Sequence, residues 1–152
     1  MRQALREAQK AFEADEVPVG AVVVINDTIV AKAYNQVEML NDATAHAEIL
    51  AITQASAAIN NWRMEEATLY VTKEPCAMCA GAMVNSRVKK VVFAVHDKRT
   101  GACGGALDIT GYHGMLHNVE VVSGVLHDEA LFMLQSFFQM KRQQKKSSKT
   151  LS

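Results

Sequence analysis

The 152-residue sequence contains no apolar run approaching the roughly 18 residues that a transmembrane helix requires. Its first residues, MRQALRE, lack the apolar stretch of a secretory signal peptide. The chain has only three cysteines, and its length suits a single domain whose core can fold without disulfides. These absences predict a protein of a reducing compartment, and we expect it in the cytoplasm without a membrane partner.

Acidic residues are missing from the C-terminal end, where none follows Glu129. The formal net charge is zero, which on its own argues against a nucleic-acid partner. The basic residues are nevertheless unevenly distributed, and five of the 16 form a purely basic tail, namely Lys141, Arg142, Lys145, Lys146 and Lys149. Such a tail from about residue 141 can follow the phosphates of a nucleic acid, with Lys141 and Arg142 as its first contacts, or it can be a solvated chain end.

The most informative pattern is divided between the triplet His-Ala-Glu at residues 46–48 and the segment Pro-Cys-Ala-Met-Cys at residues 75–79. His46, Cys76 and Cys79 form a set of one imidazole and two thiolates, which suits zinc held tetrahedrally. Three protein ligands leave the fourth position open, which is typical of a catalytic rather than a structural zinc site. The sequence therefore predicts one catalytic Zn²⁺ ion per chain.

Glu48 lies two residues after His46 and outside the ligand set. Water bound to zinc has its pKa lowered to roughly 7, so a nearby carboxylate can take its proton and pass it to a substrate. This predicts Glu48 as the catalytic proton carrier. A redox role for the two cysteines would leave the upstream His and Glu unexplained, and no thioredoxin-like pattern surrounds them.

Both segments are predicted to lie at helix N-termini. Asp42 or Thr44 is suited to cap a helix over residues 45–59, and Pro75 is suited to the first position of a second helix. The positive ends of the helix dipoles would favour thiolates at the metal. The backbone N–H groups of Ala47 and Cys76, at these two helix starts, are candidates to bind the attacking oxygen.

Hydrophobic patterning predicts an alternation of helices and strands. Helices are expected at residues 1–14, 45–59, 75–86 and 128–144, and strands at 19–25, 28–34, 67–72, 88–95 and 119–122. Residues 35–43 and 96–117 are predicted to be loops, and Leu131, Leu134 and Phe138 are predicted to form the apolar stripe of the last helix. This order predicts an α/β protein, a single three-layer α/β/α domain over residues 1–152 around a five-stranded mixed sheet, with the metal at the strand ends.

The paired motifs H-x-E and P-C-x-x-C are the signature of zinc-dependent nucleobase deaminases. With EVPVGAVV at 16–23, Asn35, TAHAEI at 44–49, EPCAMCAGAM at 74–83 and DKRTGA at 97–102, nearly the whole chain resembles the bacterial tRNA-specific adenosine deaminases. These are the TadA type of the cytidine/deoxycytidylate deaminase superfamily. The resemblance implies a cytidine-deaminase-like fold, conversion of adenosine to inosine at the wobble position of a tRNA anticodon, and a homodimer that binds the anticodon stem-loop.

The resemblance also implies roles for residues outside the ligand set. Asn35, which in isolation would more simply be a turn residue, matches the asparagine that hydrogen-bonds the target base in the family. Asp97 matches an aspartate near the ribose backbone beside the flipped nucleotide, where a 2′-hydroxyl partner would help to distinguish RNA from DNA. Phe137 and Phe138 could both be core residues, but one of them resembles the C-terminal aromatic that contacts the anticodon loop.

Two positions depart from the family pattern, because His96 stands where relatives often carry arginine and Lys73 where an apolar residue is common. Neither belongs to the ligand set, so they concern RNA contacts rather than the reaction. Three other functions stay open: a deaminase of a free base or nucleotide such as guanine or cytosine, an RNA-binding protein with structural zinc, and a zinc-stabilised interaction module. Glu48 argues against the second, and the three-ligand count argues against the third.

Overall fold

Ten regular elements make up the protein in the computed structural model, which describes residues 1–152. The helices are α1 (Arg2–Glu13), α2 (Val37–Leu40), α3 (Ala47–Ile59), α4 (Ala77–Asn85) and α5 (His127–Thr150). The strands are β1 (Gly20–Ile25), β2 (Thr28–Tyr34), β3 (Ala67–Lys73), β4 (Lys90–Val95) and β5 (Glu120–Ser123). No helix combines the length and the apolar character needed to cross a lipid bilayer.

The five strands form one mixed sheet in the order β2-β1-β3-β4-β5, which confirms the predicted sheet. Strand β1 runs antiparallel to both of its neighbours, while β3, β4 and β5 run parallel to one another. Gly20 at the start of β1 pairs with Tyr34 at the end of β2, and Lys73 at the end of β3 pairs with Val95 at the end of β4. One edge of the sheet therefore collects the carboxyl ends of β2, β3 and β4 beside the amino end of β1.

Helices cover both faces of this sheet, which confirms the three-layer α/β/α architecture. On one face α3 and α4 enclose the main core with side chains of β1, β3 and β4, including Val23, Leu69 and Phe93. On the other face α5 forms a smaller core against β4, and α1 lies over β1. Small residues permit close packing there, since a Cβ added to Gly20 would collide with the backbone of Ala4.

The segment 35–43 was predicted to be a loop, but it contains the short helix α2. Helix α2 is held by the buried carboxylate of Glu16, which accepts hydrogen bonds from the backbone N–H groups of Glu38 (3.2 Å) and Met39 (2.6 Å). The prediction missed this helix because its stabilising partner lies more than 20 residues away in the sequence.

The starts of the two helices that carry the metal motif also differ from the prediction. Helix α3 begins after His46, its N-cap, whereas the Asp42 carboxylate closes a preceding turn by accepting bonds from the N–H (2.8 Å) and hydroxyl (2.7 Å) of Thr44. Helix α4 begins after Cys76, its N-cap, so Pro75 precedes the helix. Neither N-cap side chain bonds the helix backbone, which leaves the imidazole and the thiol free for a ligand.

Helix α5 continues past its predicted end at residue 144 to Thr150. The predicted apolar stripe is correct for Leu134 and for the partly buried Leu131, but it is wrong for Phe138, which is 44% exposed while Phe137 is buried. Phe137 is the buried member of the pair because its ring packs edge-on against Phe12 in α1, with 5.7 Å between the ring centroids. Every residue after Lys141 is exposed, so the basic tail forms a helix with no packing partner within the chain.

Candidate metal centre and active site

The side chains of His46, Cys76 and Cys79 meet where the N-termini of α3 and α4 converge on the sheet edge. The His46 Nδ1 atom lies 3.6 Å from the Cys76 sulfur and 3.5 Å from the Cys79 sulfur, and the three donor atoms lie within 4.8 Å of one another. An imidazole nitrogen and a thiolate bound to one tetrahedral zinc ion are about 3.5 Å apart, given Zn–N and Zn–S bonds of about 2.0 and 2.3 Å. The spacing of this group therefore suits a metal ion of that kind.

The two thiols of this group differ in acidity. Two hydrogen bonds lower the pKa of Cys76 to about 3, the larger effect coming from the Cys79 thiol and the smaller from His46. The same bond to Cys76, burial and the charge of Glu48 raise the pKa of Cys79, and the hydrogen bond with Cys76 raises the pKa of His46 in spite of burial. Because metal ligands bind as thiolates and neutral imidazole, a bound cation would displace the protons held by Cys79 and His46.

Glu48 lies one residue into α3, and its side chain is enclosed beside the metal-binding group. Burial raises the pKa of its carboxyl, and this effect exceeds the opposing hydrogen bonds and the charge of His46. A carboxyl with a raised pKa binds and releases a proton closer to neutral pH, as acid–base catalysis requires. The preceding residue, Ala47, is the first of the helix, so its N–H has no acceptor within the helix.

A cavity of about 900 Å³ adjoins the metal-binding group, near the upper end of the size range of small-molecule sites. Its buried lining includes Val19, Asn35, Ala47 and Glu48. Its exposed lining comes from the end of α1, from α2 and from the middle of α5. The cavity therefore extends from the metal-binding group to the exposed face of α5.

Asn35 is fixed in this cavity with one hydrogen-bonding atom unused. Its backbone N–H donates to the Val19 carbonyl at 3.0 Å, and its side-chain Nδ2 donates to the Val17 carbonyl at 3.2 Å. Its Oδ1 atom is buried without any hydrogen-bond partner. Because a buried acceptor without a partner is unfavourable, a ligand N–H at this position would stabilise the complex.

Asp97, the expected ribose contact, is used within its own loop. Its Oδ1 accepts the backbone N–H groups of Arg99 (2.9 Å) and Thr100 (3.1 Å). Its Oδ2 accepts the Thr100 hydroxyl (2.6 Å) and forms an ion pair with the Lys73 ammonium (2.9 Å). Burial acts to raise the pKa of Asp97, but these bonds outweigh it and hold the pKa below its usual range. Lys73 and Thr100 line the cavity, whereas Asp97 does not.

The aromatic and basic candidates of α5 occupy different positions. Phe137 and Phe138 both line the cavity, the first buried and the second exposed. Lys141 also lines the cavity, where its ammonium pairs with the carboxylate of Asp15 and lies 5.5 Å from the centroid of the Phe137 ring. Arg142 is exposed and lies outside the cavity lining.

Glu74 organises the site although the sequence reasoning gave it no role. Its side chain is 0% exposed, and it accepts the backbone N–H groups of Asp97 (3.0 Å), Cys103 (3.0 Å) and Gly105 (2.8 Å) and contacts His96 Nδ1 at 3.1 Å. Burial acts to raise its pKa, but these bonds together lower it. The signal in the sequence that could have identified Glu74 was its position directly before the Pro-Cys motif.

The loop gathered by Glu74 is joined to the start of α4. Ala102 donates its N–H to the Pro75 carbonyl at 2.8 Å, and Gly101 pairs with Cys76 in an isolated bridge. A Cβ at Gly101 or Gly105 would collide with the Glu74 carboxylate, so both positions require glycine. The loop therefore lies against a metal-binding residue in a defined position.

Comparison with known proteins gives consistent matches. The sequence profile of the MafB19-like deaminase family matches residues 1–142. The tRNA-specific adenosine deaminase of Bacillus subtilis (strain 168) is 49% identical over 149 residues, which are 98% of this chain and 92% of that protein. A solved structure from studies of A-to-I editing by tRNA:A34 deaminases at the wobble position of transfer RNA has a TM-score of 0.85 at 39% identity, over 88% of this chain and 97% of that one.

A structure of the guanine deaminase from Nitrosomonas europaea is also similar. It has a TM-score of 0.75 at 25% identity, over 88% of this chain and 80% of that one. The tRNA deaminase structure is thus the more similar of the two by both identity and TM-score.

Proposed function

Because the chain belongs to the family of the tRNA-specific adenosine deaminases, it is an adenosine deaminase, and we propose that it converts the wobble adenosine of a tRNA anticodon to inosine. The observation that carries this proposal is the His46, Cys76 and Cys79 group beside the buried Glu48, at the base of a cavity of about 900 Å³. Hydrolysis adds water at the ring carbon that bears the amine and releases ammonia.

Zinc is the metal that we propose for this group, with one ion per chain. An imidazole nitrogen and two thiolates are ligands that zinc prefers, and their spacing of 3.5–3.6 Å suits a tetrahedral ion. Bound there, zinc would lower the pKa of a water molecule and so supply the nucleophile. His46, Cys76 and Cys79 would hold the ion, and three protein ligands would leave a fourth coordination position for that water.

In the proposed reaction Glu48 moves the protons. Its carboxylate takes one proton from the attacking water and delivers it to the adjacent ring nitrogen. It then takes the second proton from the added hydroxyl and gives it to the amino group, which leaves as ammonia. The N–H of Ala47, which has no acceptor in its helix, donates to the attacking oxygen. The unused Oδ1 of Asn35 accepts an N–H from the base and so orients it. Each of these groups lines the same cavity.

The outer part of the cavity suits the nucleotides that flank the target. An adenosine must leave the base stack to enter such a site, and this is easiest in an unpaired loop. The exposed ring of Phe138 at the cavity edge offers a surface on which a neighbouring base can stack, while Phe137 is largely covered. Lys141 and Arg142 would contact the phosphates of the anticodon stem-loop.

A direct assay distinguishes this proposal from deamination of a free base. Unmodified tRNA transcripts, free adenosine, cytidine and guanine are incubated separately with the zinc-loaded protein, and the products are separated by liquid chromatography and mass spectrometry. We expect inosine at the wobble position of one or more tRNAs. Turnover of a free base without inosine in any tRNA would contradict the proposal.

Truncation after Met140 is expected to weaken binding to an anticodon stem-loop and to flatten its salt dependence. Single-stranded nucleic acid contributes about 0.7 unit of slope per neutralised phosphate, so five basic residues account for at most about 3.5 units. The loss should be smaller because Lys141 is already paired with Asp15. Fluorescence anisotropy at several salt concentrations measures both quantities.

A chain ending at Gln144 is the matched control, since it keeps Lys141 and Arg142 and lacks only the later lysines. It should bind with an intermediate affinity and slope. Both truncated chains should keep their zinc, because every proposed ligand lies before residue 80. If both chains bind the RNA as tightly as the full chain, the tail is only a solvated helix end.

We also propose that the protein forms a homodimer in the cytoplasm, where its tRNA substrate would be found. Exposed apolar side chains in the loop between β4 and β5, including Leu107, Tyr112 and Leu116, support a contact between chains. Light scattering coupled to size-exclusion chromatography would give the mass in solution. A mass of 16.6 kDa would indicate a monomer and contradict this proposal.

A further inference from the structure

The adjacent ends of β3 and β4 lead into a polar wall beside the cavity, which is formed by Lys73, Asp97 and Thr100. Lys73 is the last residue of β3 and pairs with Val95, the last residue of β4, in the parallel ladder. Asp97 follows two residues later, and Thr100 lies in the turn that Asp97 closes. Lys73, Asp97 and Thr100 therefore lie together near the start of α4.

Most of the acceptor positions of the Asp97 carboxylate are already occupied on this wall. A carboxylate offers about four lone-pair sites. Its Oδ1 accepts two hydrogen bonds, from the backbone N–H groups of Arg99 and Thr100, and its Oδ2 accepts the Thr100 hydroxyl and forms an ion pair with Lys73 at 2.9 Å. A ribose hydroxyl that approached Oδ2 would compete with the Lys73 ammonium for this oxygen. Asp97 is also absent from the lining of the cavity.

Lys73, in contrast, has donors to spare. A lysine ammonium carries three N–H donors, and Asp97 is the only partner of the Lys73 ammonium within the chain. The Lys73 side chain is 34% exposed, and it lines the cavity together with His46, Cys76 and Thr100. The ion pair with Asp97 holds this long side chain in one position, which reduces the entropy lost when it binds a ligand.

We propose that Lys73 is the ligand-binding residue of this wall, that it donates to a sugar or phosphate oxygen of the flipped nucleotide, and that Asp97 acts by positioning Lys73. This inference rests on the proposed function. With the base held between the metal-binding group and Asn35, the sugar and its phosphates must occupy the remainder of the cavity. A cation is suited to the oxygens of a phosphate, and its N–H groups can equally donate to a ribose hydroxyl.

Lys73→Met tests the inference because methionine keeps the unbranched side chain and removes the charge. Lys98→Met is the matched control, since Lys98 belongs to the same loop region but is exposed and outside the cavity lining. We expect Lys73→Met to bind an RNA anticodon stem-loop about tenfold more weakly, as for a lost hydrogen bond from a charged group. Lys98→Met should bind almost as the unmodified chain does, and both variants should keep one zinc per chain.

Binding to RNA and DNA stem-loops and the salt dependence of that binding identify whether Lys73 contacts a phosphate oxygen or the 2′-hydroxyl. If Lys73 binds a phosphate, Lys73→Met weakens RNA and DNA stem-loops equally and lowers the salt slope by about 0.7 unit. If it binds the 2′-hydroxyl, the loss is confined to RNA. Lys73→Arg keeps the charge and should retain most of the affinity, which separates loss of the cation from a disturbance of the fold.

The positioning role of Asp97 is tested by combining substitutions. Asp97→Asn should change the affinity for the stem-loop in the unmodified chain but have little further effect in the Lys73→Met chain. The inference is overturned if Lys73→Met binds RNA and DNA normally, or if Asp97→Asn has the same effect in both backgrounds. In contrast, if the unmodified chain neither binds the RNA nor produces inosine, the proposed function itself is contradicted.

Discussion

Replacement of Glu48 by glutamine is expected to lower the rate of adenosine deamination by several orders of magnitude while the protein keeps its zinc. Acid–base groups commonly contribute factors of about 10²–10⁴, and here one carboxylate serves both the attacking water and the leaving ammonia. Glutamine preserves the shape of the side chain but cannot carry a proton. Single-turnover rates with a tRNA transcript, together with metal analysis of the same sample, measure the two quantities.

Glu38→Gln is the matched control for this experiment. Glu38 also lines the cavity, but its side chain is exposed and has no proposed part in proton transfer. That variant should deaminate at nearly the normal rate. A zinc-loaded Glu48→Gln protein with full activity would exclude Glu48 from the mechanism and leave the proton transfers to another group.

Cys79→Ala is expected to lose both the metal and detectable activity. Cys79 is a fully buried residue of α4, and without its sulfur only two donors remain. Two ligands bind zinc far more weakly than three, and the free energy of metal binding contributes to the stability of the fold. Zinc per chain by mass spectrometry should fall toward zero, and the midpoint of thermal unfolding should fall with it.

Cys103→Ala is the matched control, because Cys103 is also a buried free cysteine but is not part of the metal-binding group. Burial and the charge of Glu74 raise the pKa of Cys103 to about 12, so it remains a neutral thiol. This variant should keep one zinc per chain and its activity. Retention of one zinc per chain by Cys79→Ala would show that the proposed ligand set is wrong.

Strands were predictable because their signals are local. The bounds of β2 coincide with the prediction, since the turn at Asn26-Asp27 precedes a mainly apolar run that ends at Tyr34. The end of α5 was not predictable from apolar periodicity, because the stripe stops before the lysine- and glutamine-rich segment while helix propensity continues through it. Helix α2 depends on Glu16, a partner that no local pattern identifies.

In the candidate site too, features with a local sequence signal were predictable and features that depend on distant contacts were not. The proposed metal ligands were identified from their spacing, because each of two short motifs begins a helix that reaches the same sheet edge. The helix caps were misplaced, because the N-cap positions are occupied by His46 and Cys76, whose side chains turn to each other rather than to the helix backbone. The arrangement of Lys73 and Glu74 depends on contacts with a loop more than 20 residues later, so it required the tertiary structure.

The buried carboxylate of Glu74 and the Asp97 carbonyl together restrict what evolution can place at two loop positions. Gly101 and Gly105 must lack a side chain because both of these groups occupy the space beside them. A lineage that shortened Glu74 would lose the acceptor for three backbone N–H groups, and the Asp97 carbonyl oxygen would still lie within 2.5 Å of a Cβ at either glycine. Among homologues both glycines should therefore be retained even where Glu74 is replaced.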